Sequence, residues 1–317
     1  MSVALPGSII ANAKSHDQKT YLAGTLARAL AVFCVDEIII FDDEGEPAPE
    51  HQHQHQDNRG TVSSVADGEY TAFSNPCHFL AHILSYLETP PHLRKTLFPM
   101  HPNLRTAGTL PSLDMPHHLR ANEWCEYREG VTTHSSPAGT VVDIGLPETT
   151  LLRDVEIPPK ARVTVKLDDN NRSSSSTAEA VSPSTPREAA GYYWGYSVRR
   201  CSSLSNVFTE SPFDGGYDLS FGTSERGTAL SSILPQGTPS FKHMLIVFGG
   251  VSGLELAARN DPELQRMDIG GSNVSELFDH WVNVLPGQGS RTIRTEEAVW
   301  LGLMGLRNVV ENNSANG

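Results

Sequence analysis

Apolar residues recur along the chain in short runs separated by stretches of helical spacing. Ser8-Ile9-Ile10-Ala11-Asn12 reads as the end of a buried strand. Tyr21, Leu22, Leu26, Ala29, Leu30 and Phe33 then repeat at three- and four-residue intervals, which predicts a helix with Asp17 as its N-cap. Val35–Phe41 is a β-branched run closed by Asp42, Asp43, Glu44 and Gly45, and predicts a second strand. Two strands joined through a helix imply a parallel βαβ unit. Phe79, Leu80, Ile83, Leu84 and Leu87 mark a further helix over Pro76–Leu87.

The pattern changes between residues 125 and 190. Tyr127–Thr132, Gly139–Ile144 and Ala161–Leu167 predict short strands divided by proline and glycine. A serine- and proline-rich tract over about 170–188 follows, expected to be disordered. From 191 the strand–helix alternation resumes, with strands expected at Tyr192–Val198, Tyr217–Phe221, His243–Phe248 and Trp281–Val284. A helix is expected over 201–209 and another from Thr295, where Glu296 and Glu297 suit the positive end of a helix. The expected organisation is an α/β domain of residues 1–124 and 191–317, interrupted by a small inserted β-barrel at 125–190. Residues 42–70, acidic and glycine-rich, read as a mobile polar loop.

Composition narrows the class. The 317 residues are 38% hydrophobic and 19% charged, enough for a large packed core. No apolar run reaches the length that a bilayer requires, so no membrane span is expected. Met1–Gly7 has neither a basic nor an apolar leader region, so no secretory signal is expected. Four cysteines without a CxxC pair fit free thiols in a reducing, intracellular compartment, nucleus or cytoplasm. A net charge of −13 argues against a general DNA-binding polyelectrolyte, yet leaves room for a local basic groove. His51, His53 and His55, like His78 and His82, lack partners at metal-ligand spacing, so no metal is expected.

Three glycine-rich loops follow apolar runs: Gly222–Gly227, Phe248–Glu255 and Asn283–Ala298. In open α/β sheets ligands bind beyond the carboxyl ends of strands, and glycine lets them approach the backbone. There is no GxxxxGK[ST], no complete GxGxxG and no GxSxG, which removes the P-loop, dinucleotide and hydrolase readings.

Pro286-Gly287-Gln288-Gly289-Ser290-Arg291-Thr292-Ile293-Arg294-Thr295-Glu296-Glu297-Ala298 resembles the C-terminal knot loop of the SPOUT-class RNA methyltransferases. The similarity is to the archaeal and eukaryotic branch that carries an OB-like β-barrel insertion. Leu5–Ile9, Phe98-Pro99, Leu104–Gly108, Pro116–Arg120, Tyr127–Gly130, Gly191–Arg199 and Gly222–Gly227 share it. This resemblance implies a parallel sheet ending in a deep trefoil knot, a homodimer, an RNA substrate of ribosomal or transfer type, and S-adenosyl-L-methionine held by the knot loops. The alternative is a scaffold of the same fold that binds RNA or protein with little turnover.

On that reading the cofactor contacts fall to Thr223, Arg226, Gly249, Gly250, Gly253, Asn283, Gln288, Gly289, Ser290, Thr292, Ile293, Thr295 and Ala298. Methylation of a ring nitrogen or a 2′-hydroxyl needs a proton acceptor. The loops hold no histidine, so Glu225, Glu297 and Arg294 are the nearest polar candidates, with Arg120 arriving from elsewhere. RNA contacts are expected from Arg94, Lys95, Arg105, His117, His118, Arg120, Arg128, Tyr193, Trp194, Arg199 and Arg200.

Overall fold

The computed structural model describes residues 1–45, 68–168, 177–233 and 240–316. Most of the expected 42–70 loop, with its histidine run, and residues 169–176 of the serine tract lie outside the described residues. The described chain forms two compact units. The first comprises Met1–Ser85, Pro102–Pro111 and Tyr196–Gly317; the second comprises Tyr86–His101 and Ser112–Gly195.

The first unit is built on six parallel strands. They are β1 (Ser2–Pro6), β2 (Glu37–Phe41), β8 (Ser197–Cys201), β9 (Leu219–Ala229), β10 (Met244–Val247) and β11 (His280–Asn283). Their order across the sheet is β11-β9-β10-β1-β2-β8, and every neighbouring pair is parallel. The runs SVALP, EIIIF and MLIV are buried throughout because both faces of a parallel sheet are covered. Ala4, Ile39, Phe41, Leu245 and Val247 pack on one face with Leu254, Ala257 and Phe278. The alternate residues Val3, Leu5, Ile38, Ile40 and Ile246 are fully buried too, and strand alternation turns them to the other face.

Several boundaries differ from expectation. The first strand is Ser2–Pro6, and Gly7–Asn12 is a 3-10 helix rather than a strand end. Helix α1 (His16–Val32) is capped by Ser15 and not by Asp17. The Ser15 hydroxyl accepts from the Gln18 amide at 3.2 Å, and the Gln18 side chain accepts from the Ser15 amide at 3.3 Å. Tyr192–Tyr196 is irregular, and strand β8 begins at Ser197. Strand β9 runs on to Ala229, through the segment Gly222–Gly227 expected to be a glycine-rich loop.

The second unit holds five strands: β3 (Tyr127–Ser136), β4 (Gly139–Asp143), β5 (Thr150–Arg153), β6 (Arg162–Leu167) and β7 (Thr177–Val181). They close into a barrel in the order β3-β4-β5-β7-β6. Val142, Ile144, Leu152, Val165 and Leu167 fill it. The serine-rich tract is therefore structured from Thr177 onward: β7 pairs with β5 and β6, and α4 (Thr185–Ala190) follows. Among the described residues no helix is long and apolar enough to cross a membrane.

Candidate functional site

The register between β9 and β11 creates the first loop. Gly222 pairs with Trp281, but the next pair is Thr228 with Val282, so Thr223–Gly227 bulges out of the sheet. The bulge is held at its middle by Asn283, whose amide Nδ2 donates to the Glu225 carbonyl at 2.8 Å. The return leg passes so close to β11 that a Cβ on Gly227 would lie 2.4 Å from the Val282 carbonyl carbon.

The second loop leaves β10. It turns tightly, with the Gly253 amide donating to the Gly250 carbonyl at 3.0 Å. Gly253 sits at φ +71°, a left-handed conformation that favours glycine, and starts helix α7 (Gly253–Asn260). Ser224 Oγ donates to Glu255 Oε1 at 3.4 Å, and Arg226 Nη1 lies 3.9 Å from the same oxygen, so the bulge meets the start of α7.

The third loop, between β11 and α9 (Thr295–Asn316), closes onto the second. Thr295 Oγ1 donates to the Gly249 carbonyl at 3.0 Å. Asn283 Oδ1 accepts from the Leu285 amide at 3.0 Å, and Ser290 Oγ donates to the Thr292 carbonyl at 2.7 Å. Glu297 Oε2 caps the helix by accepting from the Arg294 amide at 3.0 Å. A Cβ on Gly287 or Gly289 would meet no atom within 4 Å, so this stretch of loop faces open space.

The structure thus brings together the expected cofactor residues of all three loops at the carboxyl edge of β9, β10 and β11. Thr223, Thr295 and Ala298 are buried, Gln288 and Ile293 half-buried, and Gly289, Ser290 and Thr292 exposed. Of the expected catalytic set, Glu225, Arg294 and Glu297 are exposed on this edge, while Arg120 belongs to the other unit. Arg294 Nη1 lies 3.9 Å from Glu296 Oε1, and Glu296 Oε2 is buried without a hydrogen-bond partner among the described residues.

One pair escaped the sequence reading. Asp43 follows β2, and its buried carboxylate accepts from Ser8 Oγ at 2.6 Å and from the Ser8 amide at 3.3 Å. Burial pushes the Asp43 carboxyl up from its ordinary range, with the Ser8 hydrogen bonds pulling partly back. A Cβ on Gly250 would stand 2.8 Å from Ser8 Oγ and 3.2 Å from Asp43 Oδ2, so the pair adjoins the second loop. The available signal was position, since Ser8 and Asp43 both lie just past carboxyl ends of strands.

The basic set expected to contact RNA divides. Lys95, Arg105, Arg120 and Arg200 are exposed. Arg94 spends its guanidinium on the carbonyls of Leu87 and Thr89, at 3.0 and 2.8 Å. Arg128 is buried and donates to the carbonyls of Ile144, Arg120 and Glu123. Arg199 is bound to Glu37 at 3.0 Å and to the Val207 carbonyl. Tyr193 is half-buried, and the Trp194 indole donates to Glu129 Oε1 at 2.7 Å. His117 and His118 are buried against Glu88, whose carbonyl faces both rings.

A family described as "Putative RNA methyltransferase" matches residues 1–306. The chain is 45% identical over 315 residues to a human protein named 28S rRNA (uridine-N(3))-methyltransferase, covering 97% of this chain and 77% of that one. It is 42% identical over 319 residues to the Drosophila melanogaster protein of the same name, covering 100% of this chain and 63% of that one. The chain belongs to this family of RNA methyltransferases, and it is an enzyme that methylates RNA.

Proposed function

We propose that this chain is a SPOUT-class enzyme that uses S-adenosyl-L-methionine to methylate N3 of a uridine in large-subunit ribosomal RNA. The observation that carries the reading is the joining of three loops at one sheet edge, through Asn283 on the Glu225 carbonyl and Thr295 on the Gly249 carbonyl. Residues at that edge fit the cofactor: the backbone of Gly249–Gly253, and the open rim at Gly287 and Gly289 where a Cβ would meet nothing within 4 Å. When bound, the cofactor supplies an electrophilic methyl group on a sulfonium. Thr223, Arg226, Asn283, Gln288–Ile293, Thr295 and Ala298 line or brace this edge and would hold it.

The chain's own task is then to orient the uridine and take the N3 proton. Two carboxylates at the edge serve: Glu225, exposed on the bulge, and Asp43, buried with Ser8 beside Gly250. Arg294 and Glu297, at the start of α9, lie at the same edge. Of the expected set, exposed Lys95, Arg105, Arg120 and Arg200 are the cations left to meet phosphate.

Three finer features complete the reading. After β11, at the edge of the sheet, the chain returns to Gly249 and packs Gly302 against Phe248 beyond β10, which supports a threaded, knotted C-terminus. The barrel order, first-second-third-fifth-fourth with a parallel third–fifth pair, supports an OB-like insertion. Val32, Leu301 and Met304 are exposed apolar residues on the packed helices α1 and α9, which supports a homodimer through that face. Relatives named for 28S rRNA and uridine N3 support the substrate.

The test combines calorimetry with S-adenosylmethionine and mass spectrometry of nucleosides from ribosomal RNA incubated with the enzyme. Saturable binding and new 3-methyluridine are expected. Methylation at another base or atom overturns the substrate, and methylation without cofactor binding at this edge overturns the site. Glu225→Gln and Asp43→Asn separate the two proton acceptors, since only the true one loses turnover while keeping cofactor affinity.

A further inference from the structure

A cavity of about 310 Å³ opens in the second unit. His92, Asp114, His118 and Arg120 line it, together with Pro91 and Leu119. Its two imidazoles are fixed by backbone carbonyls, and its charged side chains are not spent on the protein among the described residues. His118 Nε2 lies 2.6 Å from the Glu88 carbonyl, which only accepts, so Nε2 carries the proton. Burial and the neighbouring His117 push the His118 ring down to about 4, so it is neutral near pH 7. Nδ1 then bears a bare lone pair, and it is buried without any partner among the described residues. His92 Nε2 faces the Glu129 carbonyl at 3.0 Å, and burial lowers the ring's pKa.

The two charged groups are also available. Asp114 stands at φ +51°, an uncommon conformation for a residue other than glycine, and its carboxylate has no partner among the described residues. The Arg120 backbone is fixed at both ends, its amide by Glu123 Oε2 at 2.8 Å and its carbonyl by Arg128 at 2.8 Å. Its guanidinium is exposed and has no partner among the described residues. A carboxylate and a guanidinium lining one concave, ring-lined cavity call for a ligand that carries both donors and acceptors.

We propose that this cavity is a guanine-binding subsite, which takes one unpaired guanine base. Guanine presents two adjacent donors, N1–H and the 2-amino group, that match the two oxygens of a carboxylate. Its other edge presents O6 and N7, the acceptors an arginine fork reads. Adenine lacks the N1 proton, and the pyrimidines lack the paired donors. Imidazole faces give the ring something to stack on.

The experiment measures fluorescence anisotropy of the full chain with labelled single-stranded RNAs that differ at one position: guanine, inosine or adenine. Calorimetry with GMP forms a second arm. Guanine should bind about tenfold tighter than adenine, with inosine, lacking the 2-amino group, in between. Asp114→Asn, which tolerates the left-handed conformation, should flatten that preference with the melting temperature unchanged. Arg120→Met should weaken guanine most. GMP binding as tight as the oligonucleotide places the ligand as a free nucleotide at the same subsite; tighter oligonucleotide binding places it in RNA. Equal affinities for the three RNAs, or a guanine preference that survives Asp114→Asn, overturn the proposal.

Discussion

The hydroxyl of Thr295 donates to the carbonyl of Gly249 at 3.0 Å, tying the start of the C-terminal helix to the turn that follows β10. Thr295 is buried, so the bond is shielded and its loss leaves a carbonyl unsatisfied. Thr295→Val keeps the shape and removes the donor. Stability should fall by about 1 kcal/mol, and cofactor affinity by about fivefold to tenfold, as the two loops separate. Thr295→Ser should behave like the parent. Calorimetry on the three proteins checks this, and an unaltered affinity in the valine variant would detach the latch from the ligand.

Gly289 and Gly253 give opposite predictions. Gly289 is not in the left-handed region and a Cβ there meets nothing within 4 Å, so Gly289→Val costs the fold little. Its branched side chain projects into the open rim and should cut cofactor binding at least tenfold with an unchanged melting temperature. Gly253→Ala instead forces a side chain to φ +71° and should cost about 1–2 kcal/mol of stability. Paired melting and binding curves separate the two, and a Gly289→Val protein that binds like the parent refutes the placement of the cofactor.

The strands of the parallel sheet were legible because burial on both faces leaves continuous apolar runs such as Ile38–Phe41 and Met244–Val247. The loops were legible from their glycines. What escaped depends on distant partners. Thr177–Val181 is a strand because β6 and β5 pair with it, and its own composition reads as linker. Tyr192–Tyr196 looks like a strand, but Gly195 at φ +90° breaks the extended path. The Asp43–Ser8 pair spans 35 residues of sequence, and no local spacing marks it. Arg128 and Arg199 looked like free cations, yet backbone carbonyls and Glu37 had already claimed them.

Arg162 joins two buried carboxylates, donating to Glu88 Oε2 at 2.5 Å and to Glu129 Oε2 at 2.5 Å. Thr164 and the Trp194 indole complete the bonds to Glu129. Burial works against charge on Glu88, but Arg162 and His117 outweigh it and hold its pKa well below the usual carboxylate range. Arg162→Ala would leave two acidic groups buried and unpaired, a loss of about 3–5 kcal/mol. Denaturant unfolding should show it, with the barrel unit melting first. Arg162→Ala with parental stability would mean that water already screens this network.

His118 makes the second unit sensitive to acid. Its ring is packed against Glu88 and His117 and feels the Arg94 charge; burial first, then His117, depress its pKa to about 4 from an ordinary 6.5. The unfolded chain therefore takes up a proton near pH 6.5, while the folded ring refuses it until about pH 4. Neutral His118 contributes its full stability above pH 6.5, and that contribution drains away as the pH falls toward 4. The loss across this window is about 3 kcal/mol. His118→Gln keeps a side-chain amide to meet the Glu88 carbonyl but cannot titrate. The parent should lose stability more steeply than this variant between pH 6.5 and 4.5, with the two curves parallel above pH 7. Because Glu88 stays charged through the same window, its ion pair with Arg162 does not produce the difference. Parallel curves throughout would show that His118 titrates in the folded protein as it does in the unfolded chain, and that its burial does not govern the acid sensitivity.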